Sequence, residues 1–377
     1  MRILALTRSY PAPGDLYQYP FVHRRVLGYV AAGHDVAVFK PTESSLPSQH
    51  SYEGIVCHSG AANVLRDLVD GFSPDVIAAH GFSEDMHRSL KAIDYRVPTC
   101  AWLHGSEIPG FFREKALSIA EPGRRSAELQ AVQARCNFWN AFLQCKPDRF
   151  KLVFVSQSAV ELAREDMGER LRSTDFEVIP NPIDTELFRY RPKDADDRFH
   201  ILMIRPFDSW TYGNDLAVSA ILHLAEQRDL GLKFTIVGDG PLFEETVRPL
   251  HHVENLQIER RFLTQSEIAE YHGRHGIFLV PTRLDTQGVS RDEAMASGLV
   301  PVTNRVSAVP EFVADDCAGL AAPDDAQSIA NCIKAMIAAP ELFLSRSRKA
   351  ANRVRSQSGS TVVIPAELEL LAQMACS

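Results

Sequence analysis

The sequence predicts an α/β protein made of two doubly wound domains, each built on a parallel sheet. Two series of short apolar runs alternate with helix-like segments, and this alternation is typical of strands joined by crossover helices. The chain has 377 residues, which is more than one ordinary hydrophobic core accommodates. Between residues 179 and 198 prolines and charges accumulate and the apolar period is lost, so we place the linker there.

The predicted strands fall into two sets. The first set comprises Ile3–Leu6, Val36–Phe39, Val76–Ala79, Cys100–Leu103 and Leu152–Val155, and the second comprises Ile201–Ile204, Phe234–Val237, Leu256–Ile258, Ile277–Val280 and Val300–Val302. We therefore expect an N-terminal domain at 1–185, a C-terminal domain at 186–360, and a helix at 361–377 that could pack back on the N-terminal domain. Ligands of such sheets bind at the carboxyl ends of the strands, which predicts an active site in a cleft between two facing sheets.

The composition excludes several classes of protein. Hydrophobic residues make up 45% and charged residues 23%, which is typical of a globular chain and not of disordered or fibrous proteins. A formal net charge of -8 gives no reason to expect nucleic acid as a partner. The odd count of seven scattered cysteines leaves no complete disulfide set, which favours a reducing compartment.

The N-terminal segment indicates a cytoplasmic protein. It enters a predicted strand directly, without a basic leader, a long apolar region and a cleavage site, so secretion is not expected. No apolar run approaches the roughly 20 residues that cross a bilayer. Any contact with the inner face of the membrane is therefore expected to be peripheral.

The most informative segment is PTRLDTQGVSRDEAMASG, which follows the fourth predicted strand of the second set. It runs into a stretch of helix formers, so Gly288 lies on a strand-to-helix turn. The N–H groups at the start of that helix, around Val289 and Ser290, can bind phosphate oxygens, with Asp285 and Glu293 on either side. An alternative stays open, because Ser290 and Glu293 also match the S-x-x-E capping box, in which the glutamate bonds to the backbone.

Two common nucleotide-binding motifs are absent from the sequence. The first predicted strand runs into TRSYPAPGD, which has no G-x-G-x-x-G turn for a dinucleotide, and the chain has no G-x-x-x-x-G-K-[ST] loop. Nicotinamide enzymes and P-loop nucleoside triphosphatases are therefore not expected.

Five motifs together point to one known family. They are Asp285, Gly288 and Glu293 with Ala294–Gly298; Gly238–Pro241; Asn181–Asp184 with Phe188; Ala32–Val36; and His104–Glu107. In these motifs the chain resembles the family-4 retaining glycosyltransferases of the GT-B fold, over almost its full length. The resemblance implies two Rossmann-like domains that face a cleft, with the nucleotide-sugar donor in the C-terminal domain and the acceptor on the N-terminal side.

The resemblance also implies roles for the residues of the glycine turn. Glu293 would bind the ribose hydroxyls, and Asp285 would bind a hydroxyl of the transferred sugar. Gly288, Val289 and Ser290 would donate backbone N–H groups to the diphosphate.

A phosphate-binding arginine is implied outside that turn. Arg205, after the first strand of the second set, matches the arginine of the family, and its always-charged fork suits a diphosphate. The alternative is an ordinary solvated arginine at a strand end. Gly238 lies in the glycine turn that the family places at the donor site.

On the acceptor side, His104 ends a predicted strand and by resemblance would contact the sugar or the acceptor. A packed strand-end histidine is the alternative. His80 has a similar position after another strand, and Glu107 and Asp15 complete the set of acceptor-side candidates. The loop that holds Asp15 lacks the paired glycines often found in the family, and ordinary solvated loop residues are equally compatible with it.

Two departures from the family pattern concern the diphosphate. The first carboxylate is Asp285 instead of glutamate, which shortens its reach by roughly 1.5 Å. The lysine that normally follows the arginine is missing, and Thr211 or Tyr212 stands there. Loss of that cation would cost about a few kcal/mol of transition-state stabilisation unless Arg283 or Arg291 substitutes for it.

The resemblance therefore implies a retaining glycosyltransferase that needs no metal or other cofactor. It would move a hexosyl or related sugar from a nucleotide sugar to a glycan or lipid-linked glycan, in cell-surface polysaccharide or lipopolysaccharide biosynthesis. Aromatic and basic residues at 111–142 could contact an anionic membrane, or the aromatics are core and the arginines a solvated helix face. The missing lysine keeps open a catalytically weakened nucleotide-sugar sensor or scaffold, and a nucleotide-sugar epimerase is a further alternative.

Overall fold

The computed structural model describes residues 1–12, 18–117, 119, 122–227 and 230–376, apart from the side chains of residues 114, 115 and 169. The chain divides into two compact units. Unit 1 comprises Met1–Pro182 with Thr361–Ser377, and unit 2 comprises Ile183–Ser360. The last segment of the sequence thus belongs to the same unit as the first.

Unit 1 is built on a sheet that has eight strands among its described residues. They are β1 (Arg2–Thr7), β2 (Asp35–Pro41), β3 (Ser48–Tyr52), β4 (Ile55–Gly60), β5 (Val76–His80), β6 (Thr99–Leu103), β7 (Phe150–Phe154) and β8 (Phe176–Val178). Their order across the sheet is β3-β4-β2-β1-β5-β6-β7-β8. Neighbouring strands are parallel except for β3 with β4. The predicted doubly wound sheet is confirmed, with one antiparallel edge strand as a correction.

The hairpin of β3 and β4 was not predicted because its first strand is polar. The sequence of β3 is SQHSY, which contains no apolar run. The turn between the two strands is formed by Glu53 and Gly54, with φ angles of 44° and 80°. Two successive residues with positive φ are typical of a tight hairpin turn, and a polar strand is tolerated at the edge of a sheet.

Helices cover the sheet of unit 1. They are α1 (Pro20–Ala31), α2 (Ala62–Phe72), α3 (Glu84–Lys91), α4 (Pro109–Leu117), α5 (Pro122–Gln144) and α6 (Gln157–Met167). The largest core cluster joins Leu65 of α2, Leu90 of α3, Trp139 of α5 and Val160 of α6 to the strands. Helices α2, α3, α5 and α6 therefore bury one face of the sheet, and α1 packs in separate clusters with Ile3 and Ala5 of β1.

Unit 2 is built on a sheet with six strands in the described ranges. They are β9 (His200–Ile204), β10 (Lys233–Gly238), β11 (Leu256–Arg260), β12 (Ile277–Leu279), β13 (Val300–Asn304) and β14 (Gly319–Ala321). The order is β11-β10-β9-β12-β13-β14, and every neighbouring pair is parallel. The three-residue strand β14 was not predicted, because GLA is too short to show an apolar pattern.

The helices of unit 2 alternate with these strands. They are α7 (Asn214–Ala225), α8 (Phe243–Val247), α9 (Gln265–Arg274), α10 (Val289–Ala296), α11 (Val309–Phe312), α12 (Ala326–Ala338) and α13 (Pro340–Gln357). The last helix, α14 (Ser360–Cys376), returns to unit 1, where Ile364 and Leu371 share a buried cluster with Ile3 and Trp102 of the sheet.

The strand order of each sheet indicates where a ligand would bind. In unit 2 the chain moves from β9 outward to β10 and β11, and then continues at β12 on the other side of β9. In unit 1 the same reversal separates β1 from β5. Ligands of doubly wound sheets bind beside such a reversal, at the carboxyl ends of the strands. Arg205 follows β9, and the glycine turn follows β12, so both lie at this position in unit 2.

Candidate functional site

Arg205 is a buried guanidinium with incomplete hydrogen bonding. Only 7% of its surface is exposed. Its Nη1 lies 3.4 Å from Ser290 Oγ, and its Nη2 lies 3.4 Å from the carbonyl oxygens of Tyr212 and Pro281. Its Nε has no hydrogen-bond partner in the described part of the chain. A buried charge with long bonds and an unused donor is costly, and an anion would complete its coordination.

The turn after β12 brings a carboxylate to the start of α10. Gly288 precedes that helix with a φ of 91°, in the left-handed region. A Cβ at this position would lie 2.8 Å from Asp285 Oδ2 and 2.7 Å from Arg291 Nη1. Only glycine therefore allows this close approach, beside helix N–H groups that can receive an anion.

The capping-box interpretation of Ser290 and Glu293 is wrong, because α10 starts too early for it. The helix begins at Val289 with Gly288 as its N-cap, and no described side chain caps it. Ser290 lies inside the first turn, where its Oγ faces Arg205. Glu293 is half-buried farther along the same helix.

Charge couples Asp285 to Arg205. Burial lowers the pKa of Arg205, and the negative charge of Asp285 is the largest effect that opposes this shift. Asp285 Oδ1 accepts a hydrogen bond from Gln287 N at 3.1 Å, which orients the carboxylate. The structure thus brings Arg205, Asp285, Gly288 and Ser290 together at one end of the sheet.

A short 3-10 turn, Trp210–Tyr212, occupies the positions where the resemblance implies a lysine. The ring centroid of Tyr212 lies 4.9 Å from the guanidinium carbon of Arg205, a cation–π contact. Burial raises the pKa of Tyr212, so its hydroxyl remains a neutral donor at physiological pH. The carbonyl of Thr211 accepts a hydrogen bond from Thr282 Oγ1 at 3.0 Å, which ties the turn to the loop after β12.

Arg291 is neutralised inside unit 2. It is 1% exposed, and its Nη2 lies 2.8 Å from Asp292 Oδ1. The other oxygen of Asp292 accepts a hydrogen bond from Gln287 Nε2 at 3.2 Å. Burial raises the pKa of Asp292, and the Arg291 charge is the largest opposing effect. This pair holds the glycine turn in place and adds no net charge to it.

Arg283 is also engaged by carboxylates. Its Nη1 and Nη2 lie 2.7 and 2.8 Å from the two oxygens of Asp215, and its Nε lies 2.7 Å from Asp324 Oδ1. Its guanidinium carbon lies 4.4 Å from the ring centroid of Trp210. The charge that could replace the missing lysine is therefore directed at two aspartates in this structure.

Gly238 has a packing role in the observed geometry. A Cβ at this position would overlap the carbonyl of Arg205 and lie 2.7 Å from the Phe207 ring. The glycine at the end of β10 thus lets the segment after β9 pass close to the backbone of β10. This close approach fixes the position of the Arg205 backbone.

In unit 1, His80 ends β5 and His104 follows β6, so the two rings meet. His80 Nδ1 lies 3.3 Å from His104 Nε2, and the stacked ring centroids are 5.5 Å apart. Burial, followed by the charge of Arg25, lowers the pKa of both imidazoles well below the usual range. His80 is fully buried whereas His104 is half-buried, so His104 is the ring of this pair that can touch a ligand.

Glu107 shapes the loop after β6. Its Oε2 accepts hydrogen bonds from His104 N at 2.7 Å and Gly105 N at 3.0 Å, and its Oε1 accepts one from Ser106 Oγ at 2.9 Å. Its side chain is fully buried. The carboxylate therefore holds the backbone of this loop, and Asp15, the other acceptor-side candidate, lies outside the described residues.

Two family models match the chain. The model described as "Glycosyltransferase Family 4" covers residues 21–187, and the one described as "Glycosyl transferases group 1" covers residues 198–339. The second match contains both Arg205 and the glycine turn. The chain belongs to the family-4 glycosyltransferases.

Solved structures confirm the GT-B fold of this glycosyltransferase. Sucrose-phosphate synthase from Thermosynechococcus elongatus superposes with a TM-score of 0.74 at 15% identity, covering 100% of both chains. Anabaena HepE, solved with UDP and glucose, gives a TM-score of 0.71 at 14% identity, covering 99% of this chain and 100% of that one.

Curated relatives match over part of their length. The MMP alpha-(1->4)-mannosyltransferase of Mycolicibacterium hassiacum is 26% identical over 237 residues, which is 59% of this chain and 56% of the relative. A phosphatidylinositol N-acetylglucosaminyltransferase subunit of Arabidopsis thaliana is 27% identical over 169 residues, which is 44% of this chain and 37% of the relative. The matches thus span about half or less of these proteins.

Three further observations concern the described residues of the glycosyltransferase. No group of three or more His, Cys, Asp or Glu side chains in them is placed to hold a metal ion. None of their helices is both long and apolar enough to cross a membrane. The seven cysteines are all unpaired thiols.

Asn304 was not among the residues predicted from the sequence. It holds the backbone of Thr282, at the start of the segment that leads to the glycine turn. Its Oδ1 accepts a hydrogen bond from Thr282 N at 2.8 Å, and its Nδ2 donates one to Thr282 O at 2.7 Å. The side chain is fully buried at the end of β13. The signal that could have identified Asn304 is its position as a polar residue at the end of the predicted strand VPVTN.

Replacing Arg283 with alanine should affect stability more than catalysis. The change removes a side chain that is 9% exposed and contacts Asp215, Asp324 and Trp210, so we expect a loss of about 1–2 kcal/mol in the free energy of unfolding. Nucleotide-sugar turnover per folded molecule should stay within about threefold of wild type. Arg305→Ala is a matched control, because Arg305 is exposed and pairs with exposed Asp315. Full stability with strongly reduced turnover would instead show that Arg283 serves the diphosphate.

Proposed function

We propose that this chain is a retaining glycosyltransferase that moves a sugar from a nucleotide sugar to a glycan or glycolipid. The observation that carries the proposal is the buried, incompletely bonded guanidinium of Arg205 beside Asp285 and the Gly288 turn. The match to two glycosyltransferase family models supports the same class of reaction. The solved complex of HepE with UDP and glucose supports a nucleoside diphosphate as the leaving group.

The donor would bind across the carboxyl ends of β9 and β12. Arg205 would contact the diphosphate together with the N–H groups of Val289 and Ser290, so the leaving negative charge meets a cation and a helix start. Asp285 would hold a hydroxyl of the transferred sugar, and Glu293 would hold the ribose. We propose that Arg205 and the N–H groups of Val289 and Ser290 stabilise the charge of the diphosphate in place of a metal ion.

In this proposal a hydroxyl replaces the missing lysine only in part. Tyr212 lies against Arg205, and its raised pKa keeps the O–H proton available for donation to a phosphate oxygen. A neutral donor stabilises the leaving diphosphate less than an ammonium does, since hydrogen bonds from charged groups are stronger. Having Tyr212 in place of a lysine therefore favours a slower transferase, or a sensor that binds the donor without turnover.

The acceptor would bind on unit 1, beside His104. Its neutral ring can hydrogen-bond a sugar hydroxyl, while His80 and Glu107 hold the ring and its loop. By analogy with retaining GT-B enzymes, the acceptor would attack on the face of the leaving group, and the diphosphate oxygen would take its proton.

A role in cell-surface polysaccharide or lipopolysaccharide synthesis, in the cytoplasm at the inner membrane face, completes the proposal. The name of the Arabidopsis relative mentions phosphatidylinositol, which supports a lipid-linked acceptor. Within the aromatic segment, however, Trp139 and Phe142 are buried, and Arg113 pairs with Asp166. Any membrane contact would therefore involve the other residues of the segment 111–142. Sedimentation of the protein with anionic vesicles tests this contact.

A panel of UDP-, ADP- and GDP-linked sugars tests the proposed function. We expect slow release of free nucleoside diphosphate from one member, because water can replace a missing acceptor in a transferase site. Isomerisation of the sugar would indicate an epimerase, and binding without release would indicate a sensor. A panel that is neither bound nor hydrolysed would contradict the assigned donor site.

A further inference from the structure

Trp210 is a tryptophan that the fold leaves in contact with solvent. The chain has three tryptophans, of which Trp102 is fully buried and Trp139 is 2% exposed, whereas Trp210 is 44% exposed. Tryptophan is highly buried on average in folded proteins, because its large ring loses much apolar surface to water when it is exposed. An exposed indole whose position is also fixed is therefore a candidate surface for a ligand.

Arg283 fixes the position of Trp210 from one side. Its guanidinium carbon lies 4.4 Å from the ring centroid of Trp210, and its Nη1 donates a hydrogen bond of 3.1 Å to the carbonyl oxygen of the same residue. The guanidinium is itself held, because it is 9% exposed and forms ion pairs with Asp215 and Asp324. One face of the indole is therefore covered, and the exposed part of the ring is held in one orientation.

The turn that carries Trp210 is bonded to the donor side of unit 2. The carbonyl oxygen of Thr211 accepts a hydrogen bond of 3.0 Å from Thr282 Oγ1, in the loop after β12. Tyr212, two positions after Trp210, makes the cation–π contact with Arg205. Two residues of chain span at most about 7 Å. The backbone of Trp210 therefore lies close to the guanidinium that would bind the diphosphate.

The charged groups beside the indole favour an uncharged ligand with hydroxyl groups. Arg283 carries one positive charge and its two aspartate partners carry one negative charge each, so the cluster has a net negative charge and repels phosphate. The side chains of Asp215 and Asp324 are 58% and 62% exposed, so their carboxylate lone pairs remain accessible to hydroxyl donors. A pyranose ring has an apolar C–H face, which suits the negative face of an aromatic ring, and hydroxyls at its rim.

We propose that Trp210 is a stacking platform for a pyranose ring of the acceptor glycan, with Asp215 and Asp324 as acceptors for the hydroxyls of that ring. This inference rests on the proposed function, in which a sugar is added to a glycan or glycolipid. In that proposal Asp285 holds the transferred sugar, and the negative charge beside the indole disfavours the diphosphate of the donor. The ring that stacks on Trp210 therefore comes from the acceptor. Because the indole is already fixed by Arg283, stacking costs little conformational entropy.

The test begins with binding of the full chain to an array of immobilised oligosaccharides, without nucleotide. The oligosaccharide that binds best is then titrated in solution while tryptophan emission is recorded. We expect a saturable change in emission, because Trp210 is exposed and the other two tryptophans are buried. By calorimetry, Trp210→Leu should bind the same oligosaccharide about tenfold or more weakly, since a tryptophan at a binding surface commonly carries a large share of the affinity. Trp210→Phe keeps a ring and should lose less.

Leu342→Ala is the matched control for the loss of an exposed apolar side chain. Leu342 lies on α13 of the same unit and is 37% exposed, which is close to the value for Trp210. This variant should bind the oligosaccharide with wild-type affinity. Thermal melts establish that each variant is folded before its affinity is compared.

Three results would overturn the proposal. The wild-type chain binds no oligosaccharide of the array; a folded Trp210→Leu chain keeps wild-type affinity; or tryptophan emission responds to a nucleotide sugar and to no oligosaccharide, which would assign the ring to the donor. The array contains no nucleotide, so failure there leaves the outcome of the nucleotide-sugar panel unaffected. Failure of that panel together with Trp210-dependent array binding would remove the donor site and keep the glycan site.

Discussion

Replacing Arg205 with methionine should lower nucleotide-sugar turnover by about 100-fold or more, because the leaving diphosphate loses a buried cation that faces it in the proposed geometry. The structure predicts that stability will not fall with it. Arg205 makes only long hydrogen bonds and has an unused Nε, so an apolar side chain of similar length removes an incompletely compensated charge. The measurements are kcat/KM for the best sugar of the panel and the thermal melting temperature.

Two further variants separate charge from geometry at this position. Arg205→Lys keeps a cation but loses the planar fork, so it should recover part of the lost turnover. Arg305→Met removes an exposed arginine of the same unit and should change nothing. Turnover of Arg205→Met within about threefold of wild type, in a folded protein, would remove Arg205 from the mechanism.

The glycine turn could be predicted from sequence because its parts lie close together in the chain. A strand, an acidic residue, a glycine and a helix follow one another within about 20 residues, and each leaves a local signal. A Cβ added at Gly288 would lie 2.8 Å from Asp285 Oδ2, so the two residues are close together as that order requires. The glycine turn therefore follows from short-range patterning, whereas its contact with Arg205 spans 85 positions.

The ion pairs of Arg283 could not be predicted from local sequence in this way. Its partners Asp215 and Asp324 lie 68 and 41 positions away, and nothing in the local sequence shows that they return to it. The contact of Arg25 with Glu367 spans 342 positions, between the two ends of the chain. Contacts of this kind follow from strand order, which single-sequence periodicity does not fix. The polar strand β3 was missed for the related reason that an edge strand needs no apolar run.

Adding a single methyl group at Gly288 should remove most of the donor binding. Its φ of 91° already disfavours alanine, and the new Cβ would press on Asp285 Oδ2 and Arg291 Nη1. Arg291 cannot easily give way, because it is buried and bonded to Asp292. The turn itself must therefore move, which displaces Asp285 and the first N–H groups of α10. We expect nucleoside diphosphate affinity and kcat/KM to fall by about tenfold to 100-fold in Gly288→Ala.

Gly33→Ala is the control that separates the effect of backbone strain from the displacement of Asp285 and the first N–H groups of α10. Gly33 has a φ of 85°, close to that of Gly288, but a Cβ there meets no atom within 4 Å. Both variants should lose about 1 kcal/mol of stability from the left-handed backbone, while only Gly288→Ala should lose the donor. Calorimetric titration with the nucleoside diphosphate, together with thermal melts, makes the comparison. Equal affinity in the two variants would mean that the diphosphate does not lie against this turn, and the donor site assigned here would have to be sought elsewhere in unit 2.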